Sequence, residues 1–379
     1  NVKALGYSVA NVTSDQVQQI SEPDAVRSLQ SKVPGVFLQG SSALPGASTR
    51  VTIRGNSSAL GNNGPLFVVD GIPYASGQSS TGSQLANGAG YSSRISDLDP
   101  NTIESMTVLK GGAAAALYGS RAANGVVLIT TKGASGRASR KGLEVVINSS
   151  YSFEEVANLP DYQNTYGAGS DGDYGNVNGS WGPKFSDLDS IPHWYGGSAG
   201  LPNAFPQFST FDENGNVTGA VNVPYQAYPD NVEDFFDTGY VLENSVAINA
   251  GGEKGNMSLV LSRTEQDGFI PTTEFDRTTI SLGGRSILDN GLIAGGKFAY
   301  TQTNQVSPPL SGNAVGATSL TSRLLWLNRA WPIQDFDVLP FTNPITGGNA
   351  FPIGADNPYW TLERSEERRV GKECRSRWS

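Results

Sequence analysis

Histidine and cysteine are almost missing from this chain, which has one of each, His193 and Cys374, among 379 residues. A Ser/His/Asp triad would have to use the lone histidine, and a zinc site needs several His or Cys ligands. Nucleophilic and zinc-dependent catalysis are therefore not expected, and His193, in a loop between Pro192 and Trp194, is expected at a surface or against a ligand. Long hydrophobic runs are missing too. No stretch approaches the ~18 unbroken apolar residues of a membrane-spanning helix, which excludes a polytopic helical membrane protein. Charge is scarce, at 16% of residues, and its balance is acidic: 26 Lys and Arg against 35 Asp and Glu, a net charge of −9. A nucleic-acid partner is not suggested by that balance, and the low charge does not fit the usual charge-rich kind of disorder.

Glycine and proline are abundant, 46 and 21 residues. With plentiful Ser, Thr, Asn and Tyr this favours many short strands joined by turns and long polar loops. At this length two domains are the starting expectation. The segment 364–379 stands apart. It holds six basic residues, three acidic ones and Cys374, and the remainder carries a net charge of −12 with no cysteine for a disulfide or thiolate site. The string resembles an in-frame translation of a sequencing-library adapter, so it is read as a non-native tail and native sequence is expected to end near Glu363. At the other end, Asn1 is preceded by no initiating Met, charged region or apolar leader, and the natural start is expected upstream.

The first third reads as a compact α/β unit. Glu22-Pro23-Asp24 opens a short helix through Ala25, Leu29 and Val33, stopped by Pro34-Gly35. Short strands follow at Val36–Leu38, Val51–Arg54 and Leu66–Val69, with Asp70-Gly71 as a turn signal before Ile72-Pro73-Tyr74. Gly77–Ser93 reads as loop. Asp99-Pro100-Asn101 leads into a short helix, Ser105–Leu109 into a strand, and Asn124-Gly125 into the strand Val126–Thr131.

Three ordered segments carry a family resemblance: Val51–Gly55 (VTIRG), Pro65–Tyr74 (PLFVVDGIPY) and Ile103–Gly133 (IESMTVLKGGAAAALYGSRAANGVVLITTKG). Together they resemble the plug domain of TonB-dependent outer-membrane receptors, and their spelling, with LGYSV before them, is most similar to the SusC/RagA-like branch. The resemblance implies an α+β plug domain followed by an antiparallel transmembrane β-barrel, incomplete in this chain. Residues 1–13 are then the end of an N-terminal linker, 14–134 the plug, and 143–363 the start of the barrel with long external loops. The motif positions Arg54, Gly55, Asp70, Gly71, Lys110, Gly111, Tyr118, Gly119, Arg121, Asn124 and Gly125 are mostly fold-defining in the family. The branch takes up glycans or peptides with a SusD-like surface lipoprotein, driven by the TonB-ExbB-ExbD system from the inner membrane. Outer-membrane lipid is an implied partner, nucleic acid is not, and no enzymatic role is implied.

After Gly142 the pattern changes to period 2 over segments of about ten residues, the length a tilted strand needs to cross a bilayer. Val145, Ile147, Tyr151 and Phe153 oppose Glu144, Asn148, Ser150 and Ser152; Leu242, Val246 and Ile248 oppose Glu243, Ser245 and Asn249. Met257, Leu259 and Leu261 oppose Ser258 and Ser262; Ile280 and Leu282 oppose Arg277, Thr279, Ser281 and Arg285; Leu292, Ala294, Phe298 and Tyr300 oppose Lys297, Thr301 and Thr303. One face suits lipid, the other a wet lumen or a polar plug. Tight turns at 251–255 and 288–291 alternate with long loops at 154–240 and 306–360, the asymmetry of outer-membrane barrels. Five strands cannot close a barrel, and Asp356–Arg364 (DNPYWTLER) resembles a family stretch leading into a further strand.

The external loops hold the ligand-binding candidates: Tyr162, Tyr166, Trp181, Trp194 and Tyr195 in the first, Trp326 and Trp331 in the last, where 320–329 reads as a short amphipathic helix. Flat rings with polar neighbours suit stacking on sugars or packing on a partner protein; the competing reading is that they pack the loops together. The stretch 167–172 matches GxGxxG by letter but follows no βα unit, so dinucleotide binding is not expected. No cofactor is expected, with calcium on the oxygen-rich pair Asp171 and Asp173 as the alternative. Two other functions compete with import: a secreted β-rich glycan-binding or adhesion protein, and a glycoside hydrolase using Asp161, Asp171 and Asp173.

Overall fold

Two hydrophobic patterns divide the chain: up to Thr131 most apolar side chains, such as Val12, Leu29, Met106 and Ile129, are buried, whereas the long strands after Gly142 leave many, such as Leu143, Ile147, Leu282 and Phe298, exposed. The computed structural model describes residues 9–18, 22–40, 44–47, 49–58, 63–74, 78–81, 89–111, 116–132, 142–177, 179–196, 205–306, 320–337, 357–359 and 362. The tail 364–379, Trp360, Glu363 and the LGYSV stretch up to Ser8 lie outside the described residues.

The first unit contains β1 (Val9–Thr13), β2 (Val36–Gly40), β3 (Thr49–Ile53), β4 (Leu66–Val69), β5 (Ile72–Tyr74), β6 (Gln78–Thr81), β7 (Ala89–Ser93), β8 (Ile103–Leu109) and β9 (Val126–Thr131). Five of them form one mixed sheet in the order β1-β8-β9-β4-β5, with β4 parallel to β9; β2–β3 and β6–β7 are separate hairpins. Val12, Leu29, Ile95, Ile103, Met106 and Ile129 form its core. Pairing of β1 with β8 brings Val9–Thr13 into the sheet, so this unit starts before the linker boundary at 13 read from the sequence. The hairpin β6–β7 likewise replaces part of the loop expected at 77–93.

The helix expected through Ala25–Val33 is not formed. Only the 3₁₀ turn Arg27–Leu29 is present, and Ser31 adopts a left-handed φ of 62°. Fewer than a dozen residues separate Pro23 from Pro34, too few to offset helix nucleation. The packing of Ala25, Val26, Leu29 and Val33 into the core fixes a tighter path instead. At Asp99 the expectation holds: its carboxylate accepts from Asn101 N at 2.8 Å, and Pro100 opens the turn Pro100–Thr102.

The second unit starts with β10 (Gly142–Glu154). Its first long connection carries the small strands β11 (Gly169–Ser170), β12 (Asp173–Tyr174), β13 (Ser190–Pro192), β14 (Ser209–Phe211), β15 (Val217–Ala220) and β16 (Asn222–Pro224). The long strands then resume as β17 (Gly239–Gly251), β18 (Gly255–Asp267), β19 (Glu274–Ile287) and β20 (Ile293–Val306). They pair antiparallel in the order β10-β17-β18-β19-β20. Each has 13 or 14 residues, more than the ~9–11 that cross a bilayer at a tilt. No helix among the described residues is long and apolar enough to do so.

The register aligns side chains in rows across the sheet. On the outward face Val145, Ile248, Leu259, Leu282 and Phe298 share one row, and Ile147, Val246, Leu261, Ile280 and Tyr300 the next. Ile147, Leu282 and Phe298 are exposed, whereas Ser245, Ser258, Ser262, Thr264, Arg277, Thr279 and Ser281 on the other face are buried. A water-soluble sheet shows the reverse. Burial of the polar face comes from the first unit, which packs against it.

The long connections fold together. Trp331, Phe336, Phe235, Ile191, Leu320 and Trp194 share one core. Asn231 ties the two loops: its Oδ1 accepts from Ile333 N at 2.7 Å and its Nδ2 donates to Trp331 O. The helix expected over 320–329 spans only Leu320–Leu325. Asn328 ends the helical path by accepting from Ala330 N at 2.9 Å, an alternative to helical bonding for the backbone.

Candidate functional site

Two places combine charged or aromatic side chains with a clear geometry: the seat of the first unit on the strand wall, and a cleft between the external loops. At the seat, Asp70-Gly71 forms a two-residue turn with φ of 49° and 87°, positive at both positions as a type I′ hairpin requires. That turn aims the Asp70 carboxylate at β9 and the wall. Its oxygens accept from Thr131 N at 2.8 Å and Thr131 Oγ1 at 2.6 Å, and Lys297 of β20 reaches both Asp70 Oδ2 (3.2 Å) and Thr131 Oγ1 (2.7 Å). Farther along, Arg277 of β19 is 1% exposed. It donates to Pro23 O at 2.7 Å, Ser96 O at 3.1 Å and Thr264 Oγ1 at 3.4 Å. Burial raises the Asp24 and Asp97 carboxyls, and the charge of Arg277 opposes the rise in both. Ser245 donates to Asn101 at 3.0 Å, Ser262 donates to Asp99, and Gln305 donates to Pro45 O at 2.7 Å. Gly46 faces Phe275 so closely that a Cβ there would overlap the ring. A cleft of about 410 Å³ remains beside this seat, lined in part by Asp24, Arg27, Ser96, Glu154, Gln266 and Phe275.

The other motif residues build the first unit itself. Arg54 and Gly55 take φ of 60° and 91° at the end of β3, where Arg54 N donates to Gly35 O at 2.8 Å. Lys110 is buried and donates to Pro34 O at 2.6 Å; Gly111 lies against the Arg54 guanidinium. Tyr118 packs on the small cluster of Val68, Leu109, Ala122 and Val126, and Gly119 turns the chain at φ 72°. Arg121 is exposed, Asn124 accepts from Ser57 Oγ at 2.7 Å, and Gly125 sits under Ile53. The anchoring roles of Thr131, Arg277 and Lys297 were not singled out in the sequence. For Arg277 and Lys297 the signal was present as polar positions of alternating strands, which mark a face but not what covers it; Thr131 lay in the strand Val126–Thr131 with no such mark.

The aromatic candidates separate into two groups. Trp194, Tyr195 and Trp331 are 4%, 5% and 0% exposed and form the loop core, so the expectation that they meet ligand is corrected. His193 is corrected as well: it is buried, stacked 3.8 Å from Phe208 and 4.2 Å from Trp194 between ring centroids. Burial pushes its pKa down to about 4. Its Nδ1 accepts from Tyr195 N at 3.1 Å, which leaves the proton on Nε2, facing Asp335 at 3.9 Å. By contrast Trp181 and Trp326 are 65% and 54% exposed. With Tyr162, Gln163, Leu325 and Arg329 they line a cleft of about 410 Å³ between the first and last external loops. Tyr166 stands behind Trp181, 5.8 Å between centroids.

Asp171 and Gly172 form another two-residue turn, φ 54° and 85°, joining β11 to β12, with Asp173 the first residue beyond it. Asp161 is exposed. Among the described residues no three His, Cys, Asp or Glu side chains come together as a metal site.

A polar-faced strand wall with an apolar outer face and a folded unit seated on the polar side is the architecture of a plugged outer-membrane barrel. Comparison with known proteins agrees with it. Residues 1–126 match the family model described as the TonB-dependent receptor plug domain. TonB-dependent receptor SusC of Bacteroides thetaiotaomicron is 30% identical over 278 residues, covering 73% of this chain and 22% of that protein. TonB-dependent receptor P39 of Formosa agariphila is 28% identical, covering 79% of this chain and 23% of its own length. The chain thus spans about a fifth of the length of the curated relatives it matches. Among solved structures, the RagAB peptide importer in its open-open state superposes with a TM-score of 0.65 at 19% identity, over 95% of this chain and 37% of the other. The closed-closed state gives 0.60 at 21%, over 87% and 34%. Residues 1–126 thus match a TonB-dependent receptor plug domain, and the chain as a whole is similar to the SusC/RagA-like branch of those receptors, which are outer-membrane proteins of Gram-negative bacteria.

Proposed function

We propose that the protein of which this chain forms part imports glycans or peptides across the outer membrane, with energy delivered by TonB and a SusD-like surface lipoprotein as partner. The observation that carries this reading is the seat. The plug is fastened to the wall by hydrogen bonds and the Lys297–Asp70 ion pair, on a mostly polar face that water could solvate if the plug moved. Asp70, Thr131 and Lys297 lock one part; Arg277, holding Pro23 and Ser96, locks another. A pull on the plug would exchange these bonds for water and open a path without tearing the strand ladder, and transport rather than catalysis is the role this supports. One solved neighbour of the same fold is a peptide importer. The test is uptake of fluorescent oligosaccharide and peptide libraries by the source bacterium. Accumulation lost on deleting either this gene or TonB is expected. Uptake of every substrate unchanged by both deletions rejects the reading.

A further inference from the structure

We propose that the cleft between the external loops is a subsite for an acidic saccharide, with sugar rings laid on Trp181 and Trp326 and an anionic substituent directed to Arg329. Four observations lead there. The two indoles are the exposed aromatic walls of one cleft, and a pyranose presents an apolar C–H face edged by hydroxyls that suits such rings. Arg329 lines the same cleft, yet only 2% of it is exposed. Its Nε and Nη2 donate to Asn164 Oδ1 at 3.2 and 3.1 Å, and Nη2 also to Pro229 O at 2.5 Å, but Nη1 has no acceptor. No carboxylate lies within ion-pair distance of it among the described residues; Asp230 acts from farther away and the Tyr162 ring covers it at 4.9 Å. A desolvated guanidinium held by neutral oxygens alone lacks its counter-charge, and a ligand anion supplies one. The Tyr162 hydroxyl is a second polar atom without a partner on this wall.

Main-chain geometry speaks against a peptide here. A peptide adding as a strand needs a free edge, whereas Gly179 O and Trp181 N are already bonded to Gly169 N at 3.0 Å and Gly169 O at 3.2 Å.

The inference rests on the import reading for its biological sense, but binding is measured without TonB, so the two fail separately. The experiment is calorimetry on the full-length receptor in detergent with three probes: tetragalacturonate, its carboxyl-reduced neutral counterpart, and a sulfated galactan tetrasaccharide. At least one acidic probe is expected to bind at least tenfold more tightly than the neutral one, with affinity falling as salt rises; which acidic probe wins identifies carboxylate or sulfate. Trp326→Ala is expected to weaken that probe at least tenfold, and Tyr162→Phe, which keeps the ring and the fold, by a few fold. Equal binding of neutral and acidic probes overturns the proposal. So does binding of neither acidic probe, or an unchanged affinity in Trp326→Ala, or displacement of the bound saccharide from this cleft by an acidic pentapeptide that binds more tightly.

Discussion

Gly125 shows how much one residue of a motif can fix. Its φ is 101°, and a Cβ there would lie 2.8 Å from Ile53 Cδ1 and 3.0 Å from Leu109 O. Gly125→Ala therefore combines a strained backbone with overpacking, and is expected to destabilise the plug by about 1–3 kcal/mol, read as a lower midpoint for the plug in urea unfolding of the full-length receptor. His193 makes a different prediction, tied to pH. Its folded pKa of about 4 is below the ordinary histidine value of 6.5, so the unfolded loops bind the proton first. The loop packing is fully stable above the unfolded pKa and loses stability as pH falls from 6.5 towards 4. His193→Phe keeps the ring stack against Phe208 and removes the titration. Tryptophan fluorescence should show loop loosening in that window for the natural protein and a flat response for the variant. Both residues were visible in the sequence, but only Gly125 was given its role there, because a short motif carries its own backbone context. The fate of His193 depended on rings that come from elsewhere in the loop.

The strands were legible because their order is local. Alternation along each segment separates lipid-facing from wall-facing side chains, so Leu282 and Ser281 could be assigned to opposite faces before any pairing was known. What covers the polar face could not be read that way, since the contacts of Arg277 with Pro23 and Ser96 join positions far apart in the chain. Where order is not periodic the reading failed. The core of Trp194, Tyr195 and Trp331 is assembled from irregular connections that carry no repeat to read, and the helix expected at 25–33 lost to the packing of four apolar side chains over a short proline-bounded span. The outward face gives a direct test. Leu282 lies in the middle of the apolar rows, between Leu259 and Phe298. Leu282→Arg is expected to cost about 2–4 kcal/mol of stability in lipid vesicles, while Ser281→Ala on the covered face should change unfolding little.

For the molecule as a whole, the import reading requires the plug and wall to be stable together yet separable. Lys297 links the two through Asp70 and Thr131. Lys297→Met should make the full-length receptor conduct in planar bilayers at lower urea concentrations than the natural protein. Asp70→Asn should do the same, and the double substitution should add little to either alone, because all three side chains belong to one network. Identical conductance thresholds for all four proteins would show that this tie does not hold the plug.

The character of that seat also sets how work is spent in moving it. Its bonds are short-ranged, and water can satisfy each donor and acceptor as it is released. On the import reading, a load applied at one end of the plug would peel the contacts in turn, like a zip fastener, instead of shearing them all at once. The peak force stays near that of a few bonds while the closed state keeps the sum of them.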